Sequence, residues 1–354
     1  MDLQEHLITL SEAPGVSGHE GPIREAIHAA WEGLADDLTV DRLGTLLATR
    51  HGTGPAPRPK VLVTAHMDEI GLMVTDIEGD FLRVTSVGGI DKRVLISQPV
   101  IVHGQRPLRG LIGSRPPHVL TQEDRKKYPK ISDLVVDTGL PHDDLRELVH
   151  VGDLITFDQP ALPLSDGLVS GKSMDNRASC AAMTAVLHAL GNRSHRWDVL
   201  VAATVQEEVT LGGGQTIAWR TQPDLAIVVD TGWAIGVGVD ENKGYKLGGG
   251  PTIIIGPNAH PRLYDQITDL AKELEIDLHP EPMPRSSGTE AWAIQVSRDG
   301  VPTAILSIPI RNMHSPVEIV ALKDIERTAR LIVEFVTRLD DSTLESLALD
   351  AATP

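Results

Sequence analysis

WDVLVAATVQEE, residues 197–208, is the stretch whose reading decides the fold. Its run from Val199 to Val205 is mostly β-branched or small, contains no Pro or Gly, and stops at the adjacent glutamates Glu207 and Glu208. Such a run reads as a strand buried on both faces, as strands are inside an α/β sheet. Sheets of that kind bind ligands beyond the carboxyl ends of their strands, which is where the two glutamates fall. Neighbours on an extended segment point to opposite sides, so one carboxylate can hold a metal while the other faces a reacting water. Taken alone, the pair could equally mark a strand leaving the core.

Other apolar strands end the same way. KVLVTAHMDEIG (60–71) runs into His66 and Asp68, DLAIVVDTG (224–232) carries Asp230, and TAILSIPIRNMHSPVE (303–318) leads into His314. GKSMDNRASCAAMTAVLHAL (171–190) is a loop bearing Asp175 that opens an Ala-rich helix expected over about 176–190. Amphipathic spacing predicts helices over 3–12 and 20–36, the latter with Ile23, Ile27 and Trp31 on one face. A further helix bears Leu263, Ile267, Leu270 and Leu274, and a last one is expected over about 318–349. PTIIIGP (251–257) reads as a further strand.

Between about 72 and 165 the texture changes to short alternating runs such as FLRVTSV and LRGLIGS, separated by Gly, Pro and Asp turns. That pattern predicts a small β-barrel or sandwich, and the α/β texture resumes after it. The expected fold class is therefore α/β, a mixed, mostly parallel sheet flanked by helices with an inserted small β-barrel. Residues 1–70 and 165–354 form a discontinuous catalytic domain, and 71–164 the insertion.

Bulk composition narrows the function. A length of 354 residues fits two domains, and 41% apolar with 23% charged residues is an ordinary globular balance. A formal net charge of −17 argues against nucleic acid and anionic membranes as partners. With Cys180 the single cysteine, neither a disulfide framework nor a thiolate metal cluster can form. The first residues, MDLQEHLITL, carry acid where a signal peptide needs base, and no apolar run approaches a membrane span. A cytoplasmic location is the expectation.

His66, Asp68, Asp175, Glu207, Glu208, Asp230 and His314 collect at element ends. Two histidines with several carboxylates and no cysteine suit Zn²⁺, Co²⁺ or Mn²⁺. Two ions sharing five such ligands, one of them a bridging carboxylate, would stand about 3.5–4 Å apart and make a bridging hydroxide available at neutral pH. Each residue also has a plain structural reading: a strand-end histidine, a turn aspartate, or a helix cap at Asp175. A glycosidase using Glu207 and Glu208 would need carboxylates facing each other across a bond. A scaffold with a dead site would be expected to lack a ligand or the base.

In order, TAHMDEIG, GKSMDNR, TVQEE, VVDTG and PIRNMHSPVE resemble the cytoplasmic di-metal aminopeptidases that include glutamyl, deblocking and tetrahedral (TET) aminopeptidases. IGSRPPHVLTQEDRKK within the insertion and SSGTEAWAIQVSRDGVPTAILSIP near the end extend the likeness over about residues 3–340. The resemblance implies that Asp175 bridges two metals, that His66 and Asp230 complete one, and that Glu208 and His314 complete the other. It implies Glu207 as general base and acid, with Asp68 orienting His66. The implied reaction is removal of N-terminal residues from short peptides with a free amine. The implied assembly is a homo-oligomer, a hollow tetrahedron of twelve subunits built from dimers through the barrel. A carboxypeptidase or amide deacylase with the same centre is the alternative. Thr210, Glu290 and Asn312 depart from the family pattern, which bears on the shape of the substrate pocket.

Overall fold

The structure is a computed structural model that describes residues 1–239 and 243–349. Residues 240–242 and 350–354, included above in the expected catalytic domain, lie outside the described residues. The chain opens with helices α1 (Leu3–Glu12) and α2 (Gly21–Trp31), then lays down β1 (Asp37–Val40), β2 (Leu46–Arg50) and β3 (Lys60–His66). Next come β4 (Gly71–Glu78), β5 (Phe81–Val87), β6 (Pro99–His103), β7 (Pro107–Ser114), β8 (Leu134–Asp137), α3 (His142–Leu148) and β9 (Leu154–Phe157). The chain then returns through β10 (Leu162–Pro163), β11 (Leu168–Gly171), α4 (Met174–Leu190), β12 (Asp198–Thr204), α5 (Glu207–Thr210), α6 (Gly212–Thr221), β13 (Leu225–Trp233) and β14 (Thr252–Ile255). It closes with α7 (Pro261–Glu273), β15 (His279–Pro282), α8 (Ala291–Gln295), β16 (Thr303–Arg311), β17 (Glu318–Ala321), α9 (Leu322–Thr337) and α10 (Thr343–Ser346).

Eleven strands form one mixed sheet in the order β1-β2-β12-β3-β13-β16-β17-β11-β10, with β14 added beside β16 and β15 beside β14. The central four, β12, β3, β13 and β16, are mutually parallel, and antiparallel strands flank them. These central strands are buried on both faces because helices cover both. Alternate residues on a strand go to opposite sides: Val61, Val63 and Ala65 pack under α1, α2, α4, α7 and α9, whereas Leu62 packs under α6 and α8. Ile23, Ile27 and Trp31 of α2 are fully buried, as their four-residue spacing requires. The Ala-rich α4 lies against β3 and β13 and is buried over most of its length. Small side chains let its backbone sit that close.

Strands β4, β5, β8, β7, β6 and β9 close a separate antiparallel barrel. It has its own core, which includes Leu72, Val74, Leu82, Val100, Val102, Ile112, Val136 and Phe157. The alternation in β7, PLRGLIGS, places Leu108, Gly110 and Ile112 inside and Leu111 outside. Among the described residues no helix is long and apolar enough to cross a membrane.

Three expectations need correction. The helix expected over 318–349 begins only at Leu322: residues Glu318–Ala321 form β17, paired with β16 and β11. β-Branched Ile319 and Val320 follow Pro316 there, and pairing with a strand on each side outweighs weak helical periodicity. That helix also stops at Thr337, where Asp340 accepts from the backbone and hydroxyl of Ser342 and starts a separate turn. The helix expected over 20–36 ends at Trp31, just before Gly33 at φ +77°. Finally, Glu207 and Glu208 do not continue strand β12: Gln206 at φ +59° turns the chain, and both glutamates open α5.

Candidate metal centre

Parallel register assembles the site. His66 ends β3 opposite Thr204, the last residue of β12. Val228 of β13 pairs with Thr64 of β3, so two residues further on Asp230 is level with His66. The open carboxyl ends of three neighbouring strands thus face one spot, as expected for a doubly covered α/β sheet. Asp175 comes up from the first turn of α4, where it and Asn176 depart from helical geometry and the peptide between them is cis. The Asn176 amide donates to the carbonyl of Val229 at 2.9 Å, fixing this turn beside Asp230. His314 stands in the loop after β16 at φ +61°.

The geometry divides five inward side chains into two groups that share Asp175. His66 Nε2 lies 3.3 Å from Asp175 Oδ1 and 3.7 Å from Asp230 Oδ1. His314 Nε2 lies 3.4 Å from Asp175 Oδ2 and 3.6 Å from Glu208 Oε1. One oxygen of Asp175 therefore serves each group, and each group brings three ligand atoms within 4.8 Å of one another. Metal–ligand bonds of about 2.0–2.1 Å place tetrahedral ligands roughly 3.3 Å apart, close to these separations. Asp175 Oδ1 is buried without a hydrogen-bond donor, an orphan that a cation would satisfy. The donor set and its spacing fit two divalent ions. Glu207 Oε2 reaches to 4.0 Å from His66 Nε2 and lines the same cavity of about 340 Å³.

The residues around these ligands fix them in place. Asp68 is fully buried, with Oδ1 3.3 Å from His66 Nδ1. The same carboxylate accepts from the backbone N–H groups of Glu207 (3.0 Å) and Glu208 (3.2 Å) and from the Ser17 hydroxyl (2.6 Å). It thus aims the imidazole and also holds the first turn of α5, a second task not visible in its spacing to His66. His314 Nδ1 lies 2.7 Å from the carbonyl of Gly89, just beyond β5 of the barrel. A carbonyl only accepts, so Nδ1 carries the proton and Nε2 is free to bind metal.

Glu318 was not among the expected site residues. Its buried carboxylate accepts from the backbone N–H of Asp175 (3.0 Å) and of His314 (2.7 Å), tying two ligands from distant segments to one group. Glu69, Lys172, Ser173 and Arg177 form a buried network behind it, with Lys172 Nζ 2.7 Å from Glu69 Oε2 and Ser173 donating to the same oxygen. That network anchors the loop leading to Asp175 against the end of β3. Thr210, Glu290 and Asn312 do not line the cavity, although Glu290 and Asn312 adjoin the lining residues Thr289 and Met313.

Crowding of acids shows in their proton affinities. Burial raises the Glu207 carboxyl to about 9 and Glu208 to about 7, and neighbouring carboxylates push both further in that direction. Asp230 is also raised, by burial and then by Asp175. Burial opposes ionisation of Asp175 as well, but His314 and His66 outweigh it and hold its pKa below the usual carboxylate range. Asp175 in turn raises His314 to about 10 against the effect of burial. Protons thus stand where divalent cations would otherwise balance the charge, and metal binding must displace them.

A covered mixed sheet carrying paired His/carboxylate groups and an adjacent glutamate at its strand ends defines a metal-dependent hydrolase. Residues 44–331 match the M42 glutamyl aminopeptidase family, and the chain belongs to that family, an enzyme acting on peptide bonds. A lysyl aminopeptidase of Pyrococcus furiosus is 37% identical over 330 residues, 90% of this chain and 92% of that protein. The crystal structure of a TET aminopeptidase from a marine-sediment Thaumarchaeota archaeon superposes with a TM-score of 0.93 at 31% identity, covering 98% of this chain and 100% of that one. The TET1 peptidase of Pyrococcus horikoshii, which can assemble into a tetrahedron or a large octahedral shell, gives 0.84 at 31% identity over 96% and 100% of the two chains.

Proposed function

We propose that this chain removes single residues from the free N-terminus of peptides, with two divalent cations held by His66, Asp175 and Asp230 on one side and Asp175, Glu208 and His314 on the other. The observation that carries this reading is the division of the two Asp175 oxygens between two imidazole-containing groups. Zn²⁺ suits the mixed N/O donors best, and Co²⁺ and Mn²⁺ are compatible with them. Bound there, the metal pair would supply Lewis acidity and lower the pKa of water.

The chain's own residues do the rest. Glu207 projects into the cavity from the first turn of α5 and takes the proton of the attacking water. It then returns that proton to the departing amine. With cations in the centre, the pKa of about 9 that burial and the facing carboxylates give Glu207 would fall toward the working range. Asp68 keeps His66 and Glu207 in register because it holds both segments.

We further propose that residues 71–164 form an inserted oligomerisation domain in a core of residues 1–70 and 165–354. The TET1 peptidase of Pyrococcus horikoshii can assemble into a tetrahedron or a large octahedral shell, and a homo-oligomer assembled through the barrel fits that precedent.

The test is hydrolysis of a panel of aminoacyl-p-nitroanilides before and after chelation, with Zn²⁺, Co²⁺ or Mn²⁺ restored. Activity should vanish with chelator, return with metal, and be confined to substrates with a free amine. Glu207→Gln should bind both metals while losing roughly 10²–10⁴-fold in turnover. Hydrolysis of blocked-amine peptides in preference to free-amine ones would replace this reading with the carboxypeptidase or deacylase.

A further inference from the structure

The cavity that holds the metal ligands continues away from them along β13. Residues two apart on a strand share a face and stand roughly 6.6 Å apart, so Gly232 extends the face that Asp230 begins. Where a side chain would stand at Gly232, its Cβ would meet the Ser307 Cβ at 3.1 Å on one side and the Glu281 carboxylate on the other. A Cβ at Gly232 would lie 3.5 Å from Glu281 Oε2 and 3.7 Å from Oε1. Glu281 sits on β15, opposite Ile254 of β14. It lines the cavity yet is only 8% exposed. Its one hydrogen-bond partner among the described residues is the Thr252 hydroxyl at 2.5 Å, and no described Lys, Arg or His pairs with it. The walls between the metal ligands and this carboxylate are apolar or small: Trp233, Ile254, Met283 and Ser307.

An acidic group buried without a cation is costly unless something pairs with it. Here the cavity leads to it along an apolar wall. We propose, resting on the aminopeptidase reading above, that this recess is the side-chain subsite for the substrate's first residue and that Glu281 selects a cationic one, lysine or arginine. The dimensions agree. The free amine of the substrate stays by the metal ligands, and an extended lysyl side chain carries its ammonium roughly 6 Å from Cα, given bonds near 1.5 Å. That is about the step from Asp230 to Gly232. The methylene stem would lie on Ile254 and Met283 while the charged end meets Glu281, the division of labour that long basic side chains favour. A glutamyl or aspartyl residue would bring like charge against Glu281 and be rejected.

The test compares kcat/KM for lysyl, norleucyl, leucyl and glutamyl p-nitroanilides on the metal-loaded protein. Norleucine keeps the four-carbon stem without the charge, so this arm needs no variant. Lysyl should exceed norleucyl by roughly 10- to 100-fold, with glutamyl the poorest. Glu281→Gln should collapse the lysyl-to-norleucyl ratio toward one, chiefly through KM, and Glu281→Asp should keep a lysyl preference. Equal lysyl and norleucyl rates in the unaltered protein would overturn the proposal while leaving the aminopeptidase standing. So would a Glu281→Gln variant that slows every substrate alike, which would assign Glu281 to the α-amine instead. No hydrolysis of any free-amine substrate, with two metals bound per chain, would remove the underlying aminopeptidase reading itself.

Discussion

Single residues carry this site because each performs more than one task. Asp175 splits its oxygens between two imidazoles, Asp68 holds both the His66 ring and the backbone of Glu207, and Glu318 clamps the backbone of Asp175 and His314. The first of these was legible in the sequence through the ordered motifs. Glu318 was not, because a carboxylate that acts only on backbone N–H groups leaves no spacing to recognise. The same crowding yields a prediction about pH. In the metal-free protein, Glu207 and Glu208 keep their protons to about 9 and about 7, and His314 to about 10. Unfolded chains release them near 4.3 and 6.5. Each group therefore contributes stability that is complete below its unfolded pKa and lost as pH rises through its folded one. Between pH 7 and 9 all three effects have the same sign, so the metal-free melting temperature should fall steadily across that range. Adding Zn²⁺ displaces these protons, which should raise the melting temperature and flatten its slope. A metal-free transition that rises or stays level from pH 7 to 9, followed by circular dichroism, would contradict the charge distribution described here.

Elements position those residues through the ends of strands, and here legibility divided by mechanism. Buried parallel strands announce themselves by continuous apolar runs, so β3, β12, β13 and β16 and the polar groups at their ends could be read directly. The turn at Gln206 could not, since a non-glycine residue at φ +59° depends on what surrounds it. What surrounds it is the close approach of α6 to β12. Gly213 donates its backbone N–H to the carbonyl of Val205 at 2.9 Å, and a Cβ there would stand 2.5 Å from both the nitrogen and the oxygen of Val205. Backbone cannot step aside as a flexible side chain can. Gly213→Ala should therefore destabilise the protein by about 1–3 kcal/mol. It should also cut activity, because the displaced helix start lies next to Glu207 and Glu208. A variant with unaltered denaturation midpoint and turnover would show that α6 has room to move.

The whole molecule brings two separately cored bodies together at one site: the barrel's Gly89 carbonyl orients His314 of the sheet domain. The barrel itself was readable from its alternating runs, whereas this contact was not, because it joins residues 225 positions apart through a backbone atom. At the same scale the surface exposes large apolar side chains. Of five tryptophans, Trp219 of α6 and Trp292 of α8 are 66% and 49% exposed, on two helices that pack against each other. Val296, just past α8, is 69% exposed. None of the three lines the metal cavity, so substrate does not account for them. Large apolar side chains grouped in this way are usually covered by another protein surface, and a net charge of −17 means that contact cannot rest on general attraction between chains. Apolar burial would have to hold such an assembly against repulsion, and raising salt should strengthen it by screening that repulsion. Light scattering should accordingly give a mass several times 38.2 kDa, undiminished or increased at about 0.5 M salt relative to about 0.05 M. A particle of 38.2 kDa at both salt concentrations would rule out the oligomer. Dissociation on adding salt would instead show that the contacts are ionic, and that the exposed tryptophans have some other occupant.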